Sequence, residues 1–389
     1  MAQVDNVDTL IKTLKCHAGI EELSFLNDPV EVEETGDGNL NNVYRVWKKD
    51  EFGQISKSVI VKQGLPYIKC LGEDYPLGVD RIGIEYKALR KFHEYSPGSV
   101  PAVYFYDRNS SIVCMEDLLG YEVLRKRLIQ RKFDLDLAKT ISTHIAFVHR
   151  KSHIGSIGEE KLKELDAEFE NSNMVSLTEQ YIFTRPFTRG DPTNRCSEGV
   201  QGRLDMVYND QDVMTAVQNF KKLFLEKKEA LVHGDLHTGS LMVKGADVRM
   251  IDVEFAYVGP CAFDIGLLLA NYIFSYYHHM SIPEDHDERR KFAQLMIDAC
   301  HTTVQTYLSN MTSFVGDRET YEKNLLSEIA GFTGCEIIRR IIGTAHVEDL
   351  ENVRYAEEDA LGAGIRLLNA YERIHTIDML MVIALMLIF

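Results

Sequence analysis

No run of lysines and arginines long enough to grip a nucleic acid occurs in this 389-residue chain, whose 43 basic and 59 acidic side chains leave a formal charge of -16. That balance argues against nucleic acid as the main partner. The seven cysteines, at 16, 70, 114, 196, 261, 300 and 335, form no Cys-x-x-Cys pair and no zinc spacing, so neither a zinc module nor a thiol redox motif is expected. Cys114 and Cys261 lie in apolar surroundings and read as small core residues. The opening Met1-Ala2-Gln3-Val4-Asp5 lacks a charged-then-apolar signal pattern, which makes a reducing cytoplasm the expected location. The apolar tail, residues 379–389, is eleven residues long, whereas a membrane helix needs about twenty. No membrane span is expected; the tail could pack on the body of the protein or on a partner subunit, or mark a chain whose native end differs. Internal repeats and low-complexity segments are absent.

What is present centres on His233-Gly234-Asp235, followed seventeen residues after the aspartate by Asp252-Val253-Glu254. Short apolar runs, Ala230-Leu231-Val232 and Val248-Arg249-Met250-Ile251, lead into these acids, so both groups are expected at strand ends. Gly245-Ala246-Asp247 reads as a tight turn that would let the strands pair and bring Asp235 and Asp252 near one cleft. Phosphoryl transfer needs an orienting carboxylate for the nucleophile, hard oxygen ligands for Mg²⁺ and cations for the phosphates. The bland alternative, two loop-capping aspartates, does not explain the flanking His233, Gly234 and Glu254.

Upstream candidates for a nucleotide cradle follow in the expected order. Gly36-Asp37-Gly38-Asn39-Leu40-Asn41-Asn42 suits a tight turn over phosphates, and alternating Val43-Tyr44-Arg45-Val46-Trp47 continues it as a strand. Alone, this is an ordinary hairpin. A β-branched strand then carries Lys62, and a helix opening at Asp80 places Glu85 where it could pair with that lysine. The strand Ile112-Val113-Cys114-Met115 leads into Glu116-Asp117-Leu118-Leu119-Gly120, a linker whose backbone could meet adenine. Thr184-Arg185-Pro186-Phe187-Thr188-Arg189-Gly190-Asp191-Pro192 reads as a long loop or insertion. Helical spacing recurs from Asp212, over 265–276 and over 325–342. A strand-rich first third and a helical remainder predict an α+β chain of two lobes, divided here as 1–118 and 119–389, larger than a single core usually grows.

The order of glycine-rich turn, strand lysine, His-Gly-Asp and a later Asp followed by Phe263-Asp264-Ile265-Gly266 resembles the aminoglycoside phosphotransferase and choline kinase group of protein-kinase-like small-molecule kinases. Within it, the blocks Gly36 to Asn41, Val61-Lys62-Gln63, His233 to Ser240, Asp252-Val253-Glu254-Phe255, Gly259-Pro260 and Glu336-Ile337-Ile338-Arg339-Arg340 are similar to the 5-methylthioribose kinase family. The resemblance covers about residues 30 to 375 and implies a protein-kinase-like fold: a small β-rich N-terminal nucleotide-binding lobe and a larger, mostly helical catalytic and substrate-binding lobe. It also implies ATP-dependent phosphorylation of the 1-hydroxyl of 5-methylthioribose in methionine salvage, with ATP and Mg²⁺, in a homodimer. Gly36, Gly38, Asn39, Asn41, Lys62, Glu116 and Leu118 would bind the nucleotide, Asp252 and Glu254 the metal, and Asp235 the acceptor hydroxyl. Arg339 and Arg340 would bind substrate, although Glu336, three and four residues earlier, could simply pair with them. Asp264 and His233 would brace the catalytic loop. Ser240 stands where protein kinases place a metal-binding asparagine, and Glu254 could compensate. The adjacent His278 and His279 suit no shared metal. Another small-molecule kinase of this fold, acting on choline, homoserine or an aminoglycoside, and a non-catalytic nucleotide-binding protein remain as alternatives.

Overall fold

The computed structural model describes residues 7–35, 40–283, 286–311, 317–351, 353 and 355–386. It divides into two compact units: the first is Met1–Tyr121 with Arg249–Ala256, the second Glu122–Val248 with Tyr257–Phe389.

In the first unit five strands form, β1 (Glu31–Glu34), β2 (Asn41–Lys49), β3 (Ile55–Gly64), β4 (Val103–Asp107) and β5 (Ile112–Glu116), all but the acidic β1 carrying β-branched or aromatic residues in series. They form one antiparallel sheet in the order β1-β2-β3-β5-β4. Successive side chains of a strand point to opposite faces, which separates Val59 and Val61 from Lys62. The valines join Val46, Phe105 and Cys114 in a core closed by Leu10 and Leu14 of helix α1 (Val7–Lys15) and by Leu23, Phe25 and Leu26. Burying each such Leu or Phe contributes about 1.5–3 kcal/mol. Lys62 sits in mid-sheet, opposite Val43 on one side and Val113 on the other. Helix α2 (Arg81–Tyr95) begins after Asp80 and buries Ile82, Leu89 and Phe92 together with Glu85.

The second unit is mostly helical. Its main helices are α3 (Leu135–Ser152), α4 (Gln211–Glu226), α5 (Cys261–Ser281), α6 (His286–Met311), α7 (Arg318–Ile342), α8 (Ala356–Ala370) and α9 (Ile377–Leu385). Helix α5 is apolar on nearly every side, so it is buried almost throughout, packed against α6, α7 and α8. At Gly266 the α5 and α7 backbones meet so closely that a Cβ would lie 3.1 Å from both Ile329 O and Thr333 N. Thr333 Oγ1 bridges that crossing by donating to Gly266 O at 3.1 Å. Phe183, Phe224, Phe263 and Phe332 meet in tilted and edge-to-face pairs beside it. The 184–192 stretch begins with a short helical turn, Arg185–Phe187, that buries Pro186 and Phe187, and continues through irregular turns.

Short strands hold the central loop. Strand β6 (Glu122–Val123) pairs with β8 (Leu241–Lys244), β7 (Ala230–Val232) pairs with β10 (Tyr257–Gly259), and a turn at Gly245, with φ +60°, leads from β8 into β9 (Asp247–Met250). The chain passes back to the first unit at Arg249 and leaves it after Ala256. Of the apolar tail, the described part belongs to α9, which packs on α8 and α6. Its last carbonyls are satisfied: Arg366 donates to Ile383 O and Ala384 O, and Tyr277 Oη also donates to Ala384 O. Among the described residues, no helix is long and apolar enough to cross a membrane.

Candidate active site

Lys62 is the hub of the first unit. Its Nζ lies 3.0 Å from Glu85 Oε1, 2.9 Å from Asp252 Oδ1 and 3.0 Å from Glu254 Oε1. Burial alone would lower the lysine, but the three carboxylates outweigh it and hold the ammonium well above its ordinary range. Glu85 moves the opposite way to its usual state: burial, opposed by Lys62 and reinforced by Glu254 and Asp252, pushes it up to about 8. The contact expected between Lys62 and Glu85 is present at 3.0 Å, as one of three carboxyl contacts of the lysine.

Glu254 is 2% exposed and engaged at both oxygens. Asn41 Nδ2 donates to its Oε1 at 2.7 Å, and Arg81 Nε lies 3.1 Å from its Oε2. Arg81, itself 1% exposed, also donates to the carbonyls of Leu40, Leu65 and Gly78 and to Asn41 Oδ1. This guanidinium fastens the start of β2 and of α2 to the segment that carries both acids. Asp252 differs from Glu254: its side chain is 45% exposed, and its backbone is left-handed, at φ 61° and ψ 37°. Aspartate tolerates that conformation better than most residues, and its cost is usually borne at functional sites. An accessible carboxylate beside a lysine fits a magnesium ion, which takes one or two carboxylates and completes its shell with water and phosphate oxygens. Glu254 has the right donor chemistry, but both its oxygens already face cations or an amide.

The linker after β5 is only partly available to a base. Glu116 donates its N–H to Ala102 O and accepts the Ala102 N–H on Oε2, and Leu118 O accepts from Tyr121 N–H. Gly36, Gly38 and Asn39 lie outside the described residues; Asn41, the last expected cradle residue, is buried with its amide on Glu254 and Arg81.

In the second unit the loop after β7 carries Asp235. Asp264, at the start of α5, accepts from the N–H groups of His233 and Gly234 at 2.7 and 2.9 Å and contacts His149 Nε2 at 3.1 Å. His233 Nδ1 accepts from Asp235 N–H at 3.2 Å. Both residues thus brace the loop. Ser240 is wholly buried; its Oγ accepts from His237 N–H and lies 2.9 Å from the carbonyls of Asp235 and His237. Its hydroxyl holds the loop rather than facing outward as a ligand.

Asp235 Oδ1 lies 3.8 Å from Arg339 Nη2, and Oδ2 lies 3.3 Å from His237 Nε2. Burial would raise this carboxyl, but His237, Arg340 and Arg339 hold it well below the usual carboxylate range. The local pairing of the two arginines also forms: Glu336 accepts from Arg339 Nε at 2.6 Å and from Arg340 Nε at 2.8 Å. The pairing uses Nε in both cases, and Arg339 turns Nη2 toward Asp235 at 3.8 Å. His278 Nδ1 and His279 Nε2 contact the carbonyls of Asp349 and Leu128, roles in the scaffold.

Three residues of these clusters escaped sequence reasoning. Arg81 reads as a surface residue of a first helical turn, and its partners are up to 173 positions away. Arg125 reaches Asp349 Oδ2 at 3.1 Å and Asn271 Oδ1 at 3.0 Å, again with no local signal. His237 lies inside the catalytic block and could have been singled out by its spacing of two from Asp235.

Residues 163–290 match the family model described as phosphotransferase enzyme family. The chain is 37% identical over 340 residues to a methylthioribose kinase of Geobacillus sp. strain WCH70, covering 85% of this chain and 82% of that one. It is 36% identical over 354 residues to a methylthioribose kinase of Bacillus mycoides strain KBAB4, covering 86% of each. Among solved structures, choline kinase from Cryptosporidium parvum Iowa II superposes with a TM-score of 0.51 at 13% identity, covering 95% of this chain and all of that one, a likeness of fold.

Proposed function

The chain belongs to the methylthioribose kinase family, protein-kinase-like small-molecule kinases, and from that premise we propose how its residues carry the reaction. The enzyme transfers the γ-phosphoryl group of ATP to the 1-hydroxyl of 5-methylthioribose. A bond forms between that oxygen and Pγ, the bond from Pγ to the bridging oxygen breaks, and ADP leaves with the electron pair.

Asp235 orients the acceptor hydroxyl and takes its proton late in the transfer. A carboxylate held this low is a weak base, so its contribution is chiefly positional. Arg339 and Arg340, fixed through Glu336, offer their outer nitrogens to sugar hydroxyls and to the transferring group. In the first unit Lys62 serves the nucleotide phosphates, aided by Gly36, Gly38, Asn39 and Asn41, while Glu116 and Leu118 flank the base. Asp252 would be the first carboxylate for a magnesium ion and Glu254 the second, and a magnesium ion held there would neutralise phosphate charge. Methionine salvage, a cytoplasmic location and a homodimer belong to the same reading.

The observation that carries it is Asp235 faced by Arg339 in a chain of this family. Choline fits poorly, because its cation would meet guanidinium groups where it needs aromatic faces or carboxylates. The test is ATP consumption by the purified protein with Mg²⁺ on 5-methylthioribose, ribose, choline, homoserine and kanamycin, beside Asp235→Asn. Turnover on methylthioribose alone, lost in the variant, is expected. Turnover on another acceptor would move the substrate, and nucleotide binding without turnover would overturn the catalytic reading.

A further inference from the structure

His237 is built into the loop more tightly than a bystander needs to be. Its Nδ1 accepts the Gly239 N–H at 2.9 Å, which places the ring proton on Nε2, and Nε2 lies 3.3 Å from Asp235 Oδ2. Its own N–H is held by Ser240 Oγ at 3.0 Å. The ring is packed from above by Gly239, where a Cβ would fall 2.7 Å from Cε1 and 2.9 Å from Nδ1. The groups around it are Asp235 on its own loop, Arg340 of α7 and Arg125 of the short helix Leu124–Ile129.

We propose that His237 is a positioning residue for phosphoryl transfer: a neutral imidazole that donates from Nε2 to Oδ2 of Asp235 and so leaves Oδ1, the oxygen facing Arg339, for the acceptor hydroxyl. The inference rests on the reading of Asp235 as the residue that meets that hydroxyl. Geometry also says what His237 does not do. A second ring proton would have to go on Nδ1, where it would point at the Gly239 N–H, so the ring cannot relay the hydroxyl proton onward. Burial, with Arg340 and Arg125 adding to it, lowers the imidazole against the pull of Asp235, in keeping with a neutral ring.

Two amide variants separate the two ring nitrogens. In His237→Asn the side-chain oxygen can still accept from Gly239 N–H, but nothing reaches Asp235; in His237→Gln the amide nitrogen reaches Asp235 while the Gly239 contact is lost. Expected for His237→Asn is a kcat about tenfold to hundredfold lower, the range carried by a hydrogen bond to a charged group, with both KM values within about threefold because no substrate contact is removed. His237→Gln should recover most of that rate. The ¹⁵N spectrum of the wild-type ring at pH 7 should show a proton on Nε2 alone. Wild-type kcat in His237→Asn, equal losses in both variants, or a ring protonated on Nδ1 would each overturn the inference while Asp235→Asn still abolishes turnover. Retained turnover in Asp235→Asn would instead sink the underlying reading, and the inference with it.

Discussion

Replacing Glu336 by glutamine tests the arginine pair most directly. The glutamate is wholly buried and takes one Nε–H from each arginine, at 2.6 and 2.8 Å. Glutamine keeps one oxygen but turns the other acceptor into an NH₂ group aimed at a guanidinium N–H. One charge-assisted bond is lost, worth about 1.5–3 kcal/mol, and the neutral amide no longer balances two cations whose side chains are only 8% exposed. Arginine cannot escape by shedding its proton. We expect a destabilisation of about 2–4 kcal/mol for Glu336→Gln, and about 3–5 for Glu336→Ala, the range for breaking a buried pair. The assay is urea unfolding of the second unit's transition, together with KM for the sugar, which should rise as the forks lose their fixed orientation. A variant that unfolds within about 0.5 kcal/mol of wild type, with unchanged KM, would refute the view that Glu336 sets the arginines.

Lys62→Met should behave differently with pH. Without the ammonium, the buried cluster must hold one more carboxyl in its protonated form, at about 1.36 kcal/mol per pH unit above an ordinary glutamate value near 4.3. Raised folded-state values mean stability lost as pH rises, so the loss relative to wild type should be about 3–4 kcal/mol at pH 7 and about 1 at pH 5; equal losses at both pH values in urea melts would contradict this. Ser240→Ala should cost about 1–3 kcal/mol and lower kcat, because a buried hydroxyl that ties three backbone groups is gone. Its half-saturating magnesium concentration should stay within about twofold of wild type, whereas Glu254→Gln should raise it; a comparable rise for both in a magnesium titration would assign Ser240 to the metal.

Residues whose chemistry is announced locally were legible in the sequence. His233, Asp235 and Asp264 share one strand-loop-strand-helix passage, and Lys62 with Glu85 follows from a strand and the helix after it. The two-unit, α+β architecture was readable from the change of period along the chain. The web around Glu254 was not, since Asn41 is 213 positions away and a buried arginine on a polar helix turn looks like any solvated one. Nor does an apolar run such as Val248 to Ile251 reveal that the segment Arg249–Ala256 returns to the first unit, a fact that one boundary at 118 does not express. The tail was ambiguous because its apolar residues do not say which surface they cover; of the residues that cap α9, Arg366 is on the preceding helix and Tyr277 lies 107 positions before the carbonyl it meets.

That returning segment has a consequence for how the protein is made. When Tyr121 has left the ribosome, the first unit holds Lys62 and Arg81 but not Asp252 or Glu254, the acids they bind. Roughly 130 more residues must be synthesised first, which takes on the order of ten seconds at about 5–20 residues per second. Until then Lys62 has only Glu85 of its three carboxyl partners and Arg81 lacks Glu254, so the first unit cannot complete this cluster ahead of the rest. Biosynthesis thereby couples completion of the first unit to translation of the loop that carries Asp235, so a prematurely terminated chain that lacks Asp235 also lacks the acids that complete the first unit.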